Sequence, residues 1–390
     1  MRRRRSSGNV FNPGWSTEPV SHTHITRVVL TKLTPMTDRP FVGVRIERVW
    51  NRFLADRMRR RGWVEKVVPF TSYGTSDQVR VLARVVLAPA APRSDLMRAA
   101  DDLLRQRGWR NFSSVPLADA KATVTVGDES IEVQADRSGY LDVRVKNRSL
   151  APGWHDVAIR TSESRPVKAP VHIVADDETF GLISDIDDTV ISTWLPRLFI
   201  AAWNSFVVTE QARQSVPGMA RMYQQLLAEH PGAPTVYVST GAWNTFPFLR
   251  RFLKRHGYPL GTMLLTDWGP TNTGWFRSGP DHKRRSLREL ARDLPNIRWV
   301  LVGDDGQHDP TLYREFADLQ PDKVRAIGIR QLTMAQQVLA HGTGTVLGDP
   351  HQVQYQPDSV PEVRGPDGDS LGPLLIAAID SPEGGIDSRD

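Results

Sequence analysis

A short apolar run that ends in carboxylates constrains this chain more than any other stretch: Phe180-Gly181-Leu182-Ile183-Ser184-Asp185-Ile186-Asp187-Asp188-Thr189-Val190. Leu182, Ile183 and Ile186 have the pattern of a buried strand. Asp185 and Asp187 lie two residues apart, so on an extended backbone their side chains leave from the same face. Two like charges held together are costly unless a cation sits between them or one keeps its proton. Oxygen donors with no Cys or His nearby suit a divalent magnesium ion. The plainer alternative is an acidic turn capping a helix at Thr189 or Ser192.

From Phe180 to about Gln331, strands alternate with helices. The pattern predicts strands over 182–186, 235–238, 262–265, 298–302 and 324–329, and helices over 218–229, 245–256, 283–294 and 310–316. Such alternation predicts an α/β fold with a doubly wound parallel sheet, whose ligands sit beyond the carboxyl ends of the strands. We place this unit at 179–340.

Upstream, residues 67–178 read as a small β-sandwich. Alternating segments at 79–87, 122–126, 131–134, 140–145 and 157–160 are separated by turn signals at Gly127-Asp128, Ser138-Gly139 and Pro152-Gly153. A helix is expected over 94–107. No catalytic constellation appears here, and His155 and His172 read as surface or structural residues.

Residues 36–66 hold a basic amphipathic helix over 44–58, with Ile46, Val49, Trp50, Phe53, Leu54 and Met58 on one face. It fits either a helix packed on its own domain or one lying on a membrane surface. Residues 1–35 show no clear period; Met36 is itself a plausible natural start, with the stretch before it an extension. Residues 341–390, rich in Gly, Pro and Asp, read as a disordered acidic tail.

Charge is uneven. Residues 1–66 carry 15 Lys and Arg against 5 Asp and Glu, whereas residues 345–390 carry 2 Arg against 9 acidic residues. A basic end fits an anionic membrane, an acidic partner or nucleic acid, but no nucleic-acid recognition motif accompanies it and none is expected as a partner. With no cysteine, thiolate catalysis and disulfides are excluded. No apolar run approaches the roughly 20 residues of a membrane span, and no apolar stretch follows Arg2 to Arg5 as an export signal requires. The expectation is a cytoplasmic protein with peripheral membrane contact.

Four groups fall at the ends of predicted strands or the starts of the helices after them: Asp185, Asp187 and Thr189; Ser239-Thr240-Gly241; Lys283; and Gly303-Asp304-Asp305-Gly306-Gln307-His308-Asp309. Singly, each is usually a turn, a cap or a solvated side chain. On one rim they supply what phosphoryl transfer to a carboxylate needs. A carboxylate can attack phosphorus, and a second can protonate the leaving alkoxide and then activate water. A hydroxyl and free N–H groups can hold a phosphate oxygen. A lysine offsets the charge, and further carboxylates complete a metal site.

This order and spacing resembles the haloacid-dehalogenase-like superfamily of phosphatases and phosphotransferases. That resemblance implies Asp185 as nucleophile, Asp187 as general acid/base, Ser239 with Thr189 and Thr240 around the phosphate, and Lys283 as the cation. It implies Mg²⁺ held by Asp185, the carbonyl of Asp187 and Asp304, supported by Asp305 or Asp309. More narrowly, Gly181 to Thr189, Val216-Pro217-Gly218-Met219, Tyr237-Val238-Ser239, His282-Lys283 and Gly303 to Pro310 resemble the catalytic domain of the fungal actin-patch phosphatidate phosphatase family. Tyr73-Gly74 and Val79 to Leu87 are similar to the segment upstream of it in bacterial members. Where that family often carries Ser-x-Ser-Pro-Trp, this chain has Ser239-Thr240-Gly241-Ala242-Trp243, which bears on substrate selection more than on chemistry.

The resemblance implies a phosphoric monoester hydrolase acting on phosphatidate-like lipids. The apolar segment Thr193 to Val208 fits a flap that receives acyl chains or a cap that excludes water. Trp268, Trp275 and Phe276 form a second aromatic group. The competing functions are a phosphatase of a soluble monoester and a non-catalytic membrane- or partner-binding scaffold.

Overall fold

The computed structural model describes residues 53–90, 114–192, 214–266, 279–306, 308–333, 336 and 360–380. The expected helix at 94–107, the apolar segment 193–208 and the group Trp268, Trp275 and Phe276 lie outside them.

Residues 53–60 form helix α1, the described end of the basic helix. Ala55 and Met58 are buried in the core of the first sheet and Leu54 packs against it, while Phe53 is exposed. This end of the apolar face is therefore used internally, and Arg57, Arg59 and Arg60 face water.

The first sheet contains β1 (Trp63–Pro69), β2 (Ser72–Gly74), β3 (Gln78–Pro89), β4 (Val115–Pro116), β5 (Lys121–Val126), β6 (Glu129–Gln134), β7 (Tyr140–Lys146), β8 (Gly153–Thr161) and β9 (Val167–Ile173). Strand β5 shows the cause: Ala122, Val124 and Val126 are buried, while the residues between them are not. The turns that the sequence marked hold Gly127 and Gly139 at φ of 55° and 79°, a region that favours glycine. Hydrogen bonds join all nine strands into one continuous sheet. The reason is β3, whose twelve residues pair with β7 over Gln78–Arg84 and with β1 over Ala83–Pro89.

The second sheet contains β10 (Phe180–Ser184), β13 (Thr235–Ala242), β14 (Thr262–Thr266), β15 (Arg298–Asp304), β16 (Val324–Arg330) and β17 (Glu362–Gly365). Its order is β14-β13-β10-β15-β16-β17, with every neighbouring pair parallel. Between β10 and β13, β11 (Ile191–Ser192) and β12 (Gln214–Ser215) form a two-stranded ribbon. The helices are α2 (Met219–Ala228), α3 (Phe246–Arg255), α4 (Gly279–Asp293), α5 (Asp309–Leu319) and α6 (Gly368–Asp380). The chain is thus mixed α/β, with a parallel sheet and a separate, largely antiparallel one.

The expectation of disorder throughout 341–390 fails at β17 and α6. Strand β17 pairs with β16 over Ile327–Arg330, and Val363, Leu371 and Leu375 are buried. A few well-spaced apolar residues suffice to cover a sheet edge, although Gly, Pro and Asp dominate the local composition.

The two sheets share a core. Tyr73 and Leu82 from the first, with Phe70 between β1 and β2, lie in one buried cluster with Phe180 and Leu264 from the second and Phe246 of α3. Phe70 stacks on Trp243 with ring centroids 4.2 Å apart and meets Phe246 edge-on at 4.6 Å. Polar contacts flank this seam. Arg80 grips Asp142 with two hydrogen bonds of 2.8 and 2.6 Å and reaches Glu289 of α4 at 2.9 Å. Tyr73 and Arg144 both donate to Asp293 at the end of α4, at 2.9 and 2.7 Å.

Candidate active site

Strand β10 sits between β13 and β15, and all five of its residues are buried. It ends at Ser184, two residues earlier than the sequence suggested, so Asp185 emerges just beyond the sheet. Its backbone N–H still donates to Val302 O at 2.9 Å, which fixes it against β15. The chain then turns through Asp188, whose φ of 58° is uncommon outside glycine.

Strand β15 delivers Asp304 beside Asp185, in line with the register Ser184↔Val302. Helix α5 begins at Asp309, an acidic residue in a first turn, where the helix dipole favours negative charge. Gly303 allows its approach, since a Cβ there would lie 2.6 Å from Asp309 Oδ2. Lys283 belongs to the buried stripe of α4, with Ser286, Leu287, Leu290 and Ala291. That stripe carries its ammonium under the sheet's carboxyl edge.

Asp185, Asp304 and Asp309 converge, each presenting a carboxylate oxygen within 4.8 Å of the others, and all three are buried. Lys283 Nζ lies 2.7 Å from Asp185 Oδ1 and donates a second bond to Asp309. Burial pushes Lys283 down, but Asp185, Asp309 and Asp304 outweigh it and hold the ammonium well above its usual range. Burial pushes the carboxyl of Asp185 well up; Lys283 opposes this, and Asp309 and Asp187 add to it. Asp304 is raised by burial and by the charges of Asp309 and Asp185.

Among the described residues one ammonium contacts this group of three buried carboxylates, and the imbalance calls for a further cation. Asp185 Oδ2 and Asp309 Oδ2 are buried with no hydrogen-bond partner, a condition that costs free energy unless something binds them. The donor set is all oxygen. These observations fit a hard divalent metal.

The remaining sequence-predicted residues surround this cluster. Ser239 donates to Asp187 Oδ2 at 2.9 Å and accepts from Gly241 N at 2.9 Å. Strand β13 reaches Ala242, with a register irregularity between Val238 and Ala242, so Ser239-Thr240-Gly241 is a bulged strand end. Thr240 lies in that bulge, its carbonyl accepting from Thr266 Oγ1 at 2.7 Å. Thr189 is buried and reaches Asp304 Oδ2 at 3.5 Å. Asp305 stands apart: its Oδ1 accepts from Leu332 N at 2.8 Å. Of the two alternatives beside Asp304, Asp309 is the one in the carboxylate cluster. Asp187 faces Ser239 rather than that cluster. Sequence reading missed Arg330, a buried arginine that donates to the carbonyl of Asp188. A second arginine ending a strand whose only other charged residue is Arg325, near its start, was the available signal.

Comparison with known proteins bears on the same segment. Residues 180–331 match the family model described as phosphatidate phosphatase APP1, catalytic domain. Phosphatidate phosphatase APP1 of Saccharomyces cerevisiae is 28% identical over 153 residues, covering 38% of this chain and 25% of that protein. An uncharacterized protein of Schizosaccharomyces pombe is 26% identical over 175 residues, covering 44% of this chain and 29% of its own length. The chain therefore spans less than a third of the curated relatives it matches. Among solved structures, a carbohydrate acetylesterase from Xanthomonas citri shares 11% identity at a TM-score of 0.25, over 76% of this chain and 80% of that one. That likeness is too slight to bear on fold or chemistry.

Proposed function

We propose that this chain, whose residues 180–331 belong to the phosphatidate phosphatase APP1 catalytic-domain family, is a Mg²⁺-dependent phosphatase of phosphatidate-like phosphomonoesters with a haloacid-dehalogenase-like fold. The observation that carries the reading is the convergence of Asp185, Asp304 and Asp309 around Lys283. The unit boundaries at residues 67 and 179 and peripheral contact with an anionic membrane belong to the same proposal.

Asp185, Asp304 and Asp309 would hold the metal, with the carbonyl of Asp187. When bound, Mg²⁺ lets an anionic phosphate approach an anionic carboxylate. Asp185 attacks phosphorus, forming an acyl-phosphate bond as the bond to the leaving oxygen breaks. Asp187 delivers its proton to that oxygen, and diacylglycerol departs when the ester is phosphatidate. Asp187, now ionised, takes a proton from water; the water attacks phosphorus, free phosphate leaves and the Asp185 carboxylate is restored. The 2.9 Å bond from Ser239 to Asp187 keeps the acid close to the phosphate subsite formed by Ser239, Thr240 and Thr189. Lys283 neutralises charge on Asp185 as the phosphoryl group arrives.

The test is phosphate release from phosphatidate in mixed micelles, with Mg²⁺ and after EDTA, for wild type and Asp185→Asn, beside a panel of soluble esters. Release by wild type alone, abolished by EDTA, is expected. Equal release by the variant would remove Asp185 as nucleophile. Release only from soluble esters would redirect the substrate assignment.

A further inference from the structure

Arg330 ends β16 with a buried side chain and three acceptors around it. One Nη donates to the carbonyl of Asp188, Nε donates to Pro366 O at 3.1 Å, and the other Nη reaches Gln336 Oε1 at 3.4 Å. Gln336 in turn donates to Ser192 Oγ at 3.2 Å. The turn from Asp185 to Ser192 is therefore held at two points, by the last residue of β16 and by Gln336 just after it. Asp188 is the left-handed residue of that turn, so its carbonyl direction sets how the chain passes from Asp187 to Thr189. Asp187 itself makes one bridge, to Ile191, across the same turn.

The guanidinium is anchored from behind by the C-terminal segment. Arg330 is in register with Gly365 of β17, and Gln331 N donates to Gly365 O at 2.8 Å. Gly368 N donates to Pro217 O at 2.9 Å, which ties the start of α6 to the entry of α2. Gly365, Pro366 and Gly368 lie beyond residue 331, where the family match ends.

We propose that Arg330, braced by Pro366 and Gln336, is a positioning residue that fixes the Asp188 carbonyl and thereby aims the carboxyl of Asp187 at the leaving oxygen. The inference rests on the phosphatase reading given above and deepens it. A planar fork can serve all three acceptors at once, whereas an ammonium on a flexible stem cannot. Loss of the fork frees the turn to relax at Asp188, whose left-handed backbone is unfavourable for a non-glycine residue. Asp187 then moves while Asp185, Asp304, Asp309 and Lys283 keep their own supports.

A general acid matters only where the leaving group needs a proton. Dioctanoyl phosphatidate releases dioctanoylglycerol, whose alkoxide needs one; p-nitrophenyl phosphate releases a stable phenolate that does not. Arg330→Met and Arg330→Lys should lower kcat on the phosphatidate about tenfold or more beyond any loss on p-nitrophenyl phosphate, with KM little changed. Equal losses on both substrates, or none, overturn the proposal. Hydrogen exchange of the metal-free protein gives a second readout that needs no turnover. Arg330→Lys, which keeps the buried cation, should speed exchange across residues 186–191 while β13 and α4 stay protected; unchanged exchange there also overturns it. Should Arg330→Met fail to fold, Arg330→Lys decides both readouts. If wild type acts on neither substrate, the phosphatase reading fails, and the exchange measurement still judges the contact.

Discussion

Lys283 Nζ stands 2.7 Å from Asp185 Oδ1, and both side chains are almost wholly withdrawn from solvent. Among the described residues that ammonium is the cation in contact with a group of three carboxylates, because Asp304 and Asp309 share the space. Any cation that enters should therefore stabilise the fold as well as enable chemistry.

Mg²⁺ at about one hundred times its dissociation constant should stabilise the protein by about 2.7 kcal/mol through mass action. Asp304→Asn removes a like charge from a buried cluster, so it should raise the melting temperature of the metal-free protein and erase the Mg²⁺-dependent rise. Differential scanning calorimetry with EDTA and with Mg²⁺ checks both halves. A variant that melts lower without metal and still responds to Mg²⁺ would contradict this account.

Lys283→Met acts in the opposite sense. It leaves buried carboxylates without their partner, a change that typically costs about 3–5 kcal/mol. Urea unfolding in EDTA should show a loss of that order, partly restored by Mg²⁺. Phosphate release should fall even where the fold is restored, because the ammonium also offsets charge during attack.

The seam between the sheets rests on Phe70 and Trp243, stacked at 4.2 Å. Trp243 directly follows the strand that carries Ser239, so this contact buttresses the strand end of the proposed phosphate subsite. Phe70→Ala should destabilise by about 3–5 kcal/mol, as expected for a buried aromatic truncated to a cavity. Limited proteolysis should then release fragments cut near residue 175 sooner than in wild type.

The legible part of the fold was the part with a strict local period. Alternation found β5 and β7, and the apolar runs into Asp185 and Asp304 found the strands that carry the carboxylates. The continuity of the first sheet was hidden because β3 changes partners along its length, and no local pattern records which strand lies alongside. The packing of β17 and α6 was hidden for a related reason: Val363, Leu371 and Leu375 find their partners only across the chain. Within the candidate site, residue types and order pointed to Asp185, Asp304 and Lys283. The choice between Asp305 and Asp309 depended on the close approach of Asp309 to Gly303, and Arg330 on a contact to a backbone carbonyl 142 positions earlier, which spacing does not reveal.

Asp293 gives the seam a pH dependence. Burial raises its carboxyl, but the hydrogen bond and charge of Arg144, the Tyr73 hydroxyl and Arg80 outweigh that and leave it below the usual value. A carboxyl whose folded pKa lies below its unfolded pKa contributes stability above the unfolded value and loses it as pH falls through the folded one. The stability gap between wild type and Asp293→Asn should therefore be widest above about pH 5 and close toward about pH 2. Urea unfolding across that range checks it, and a gap that widened on acidification would reverse the sign.

The central claim is that the Asp185 carboxylate takes the phosphoryl group. Its most direct test is to quench the enzyme during turnover with substrate and Mg²⁺, reduce with borohydride and map the digest by mass spectrometry. An acyl phosphate at Asp185 is predicted to appear as homoserine at position 185, and to be absent when EDTA or Asp185→Asn is used. Robust turnover with no reduced residue at 185, or with homoserine at another aspartate, would contradict the account.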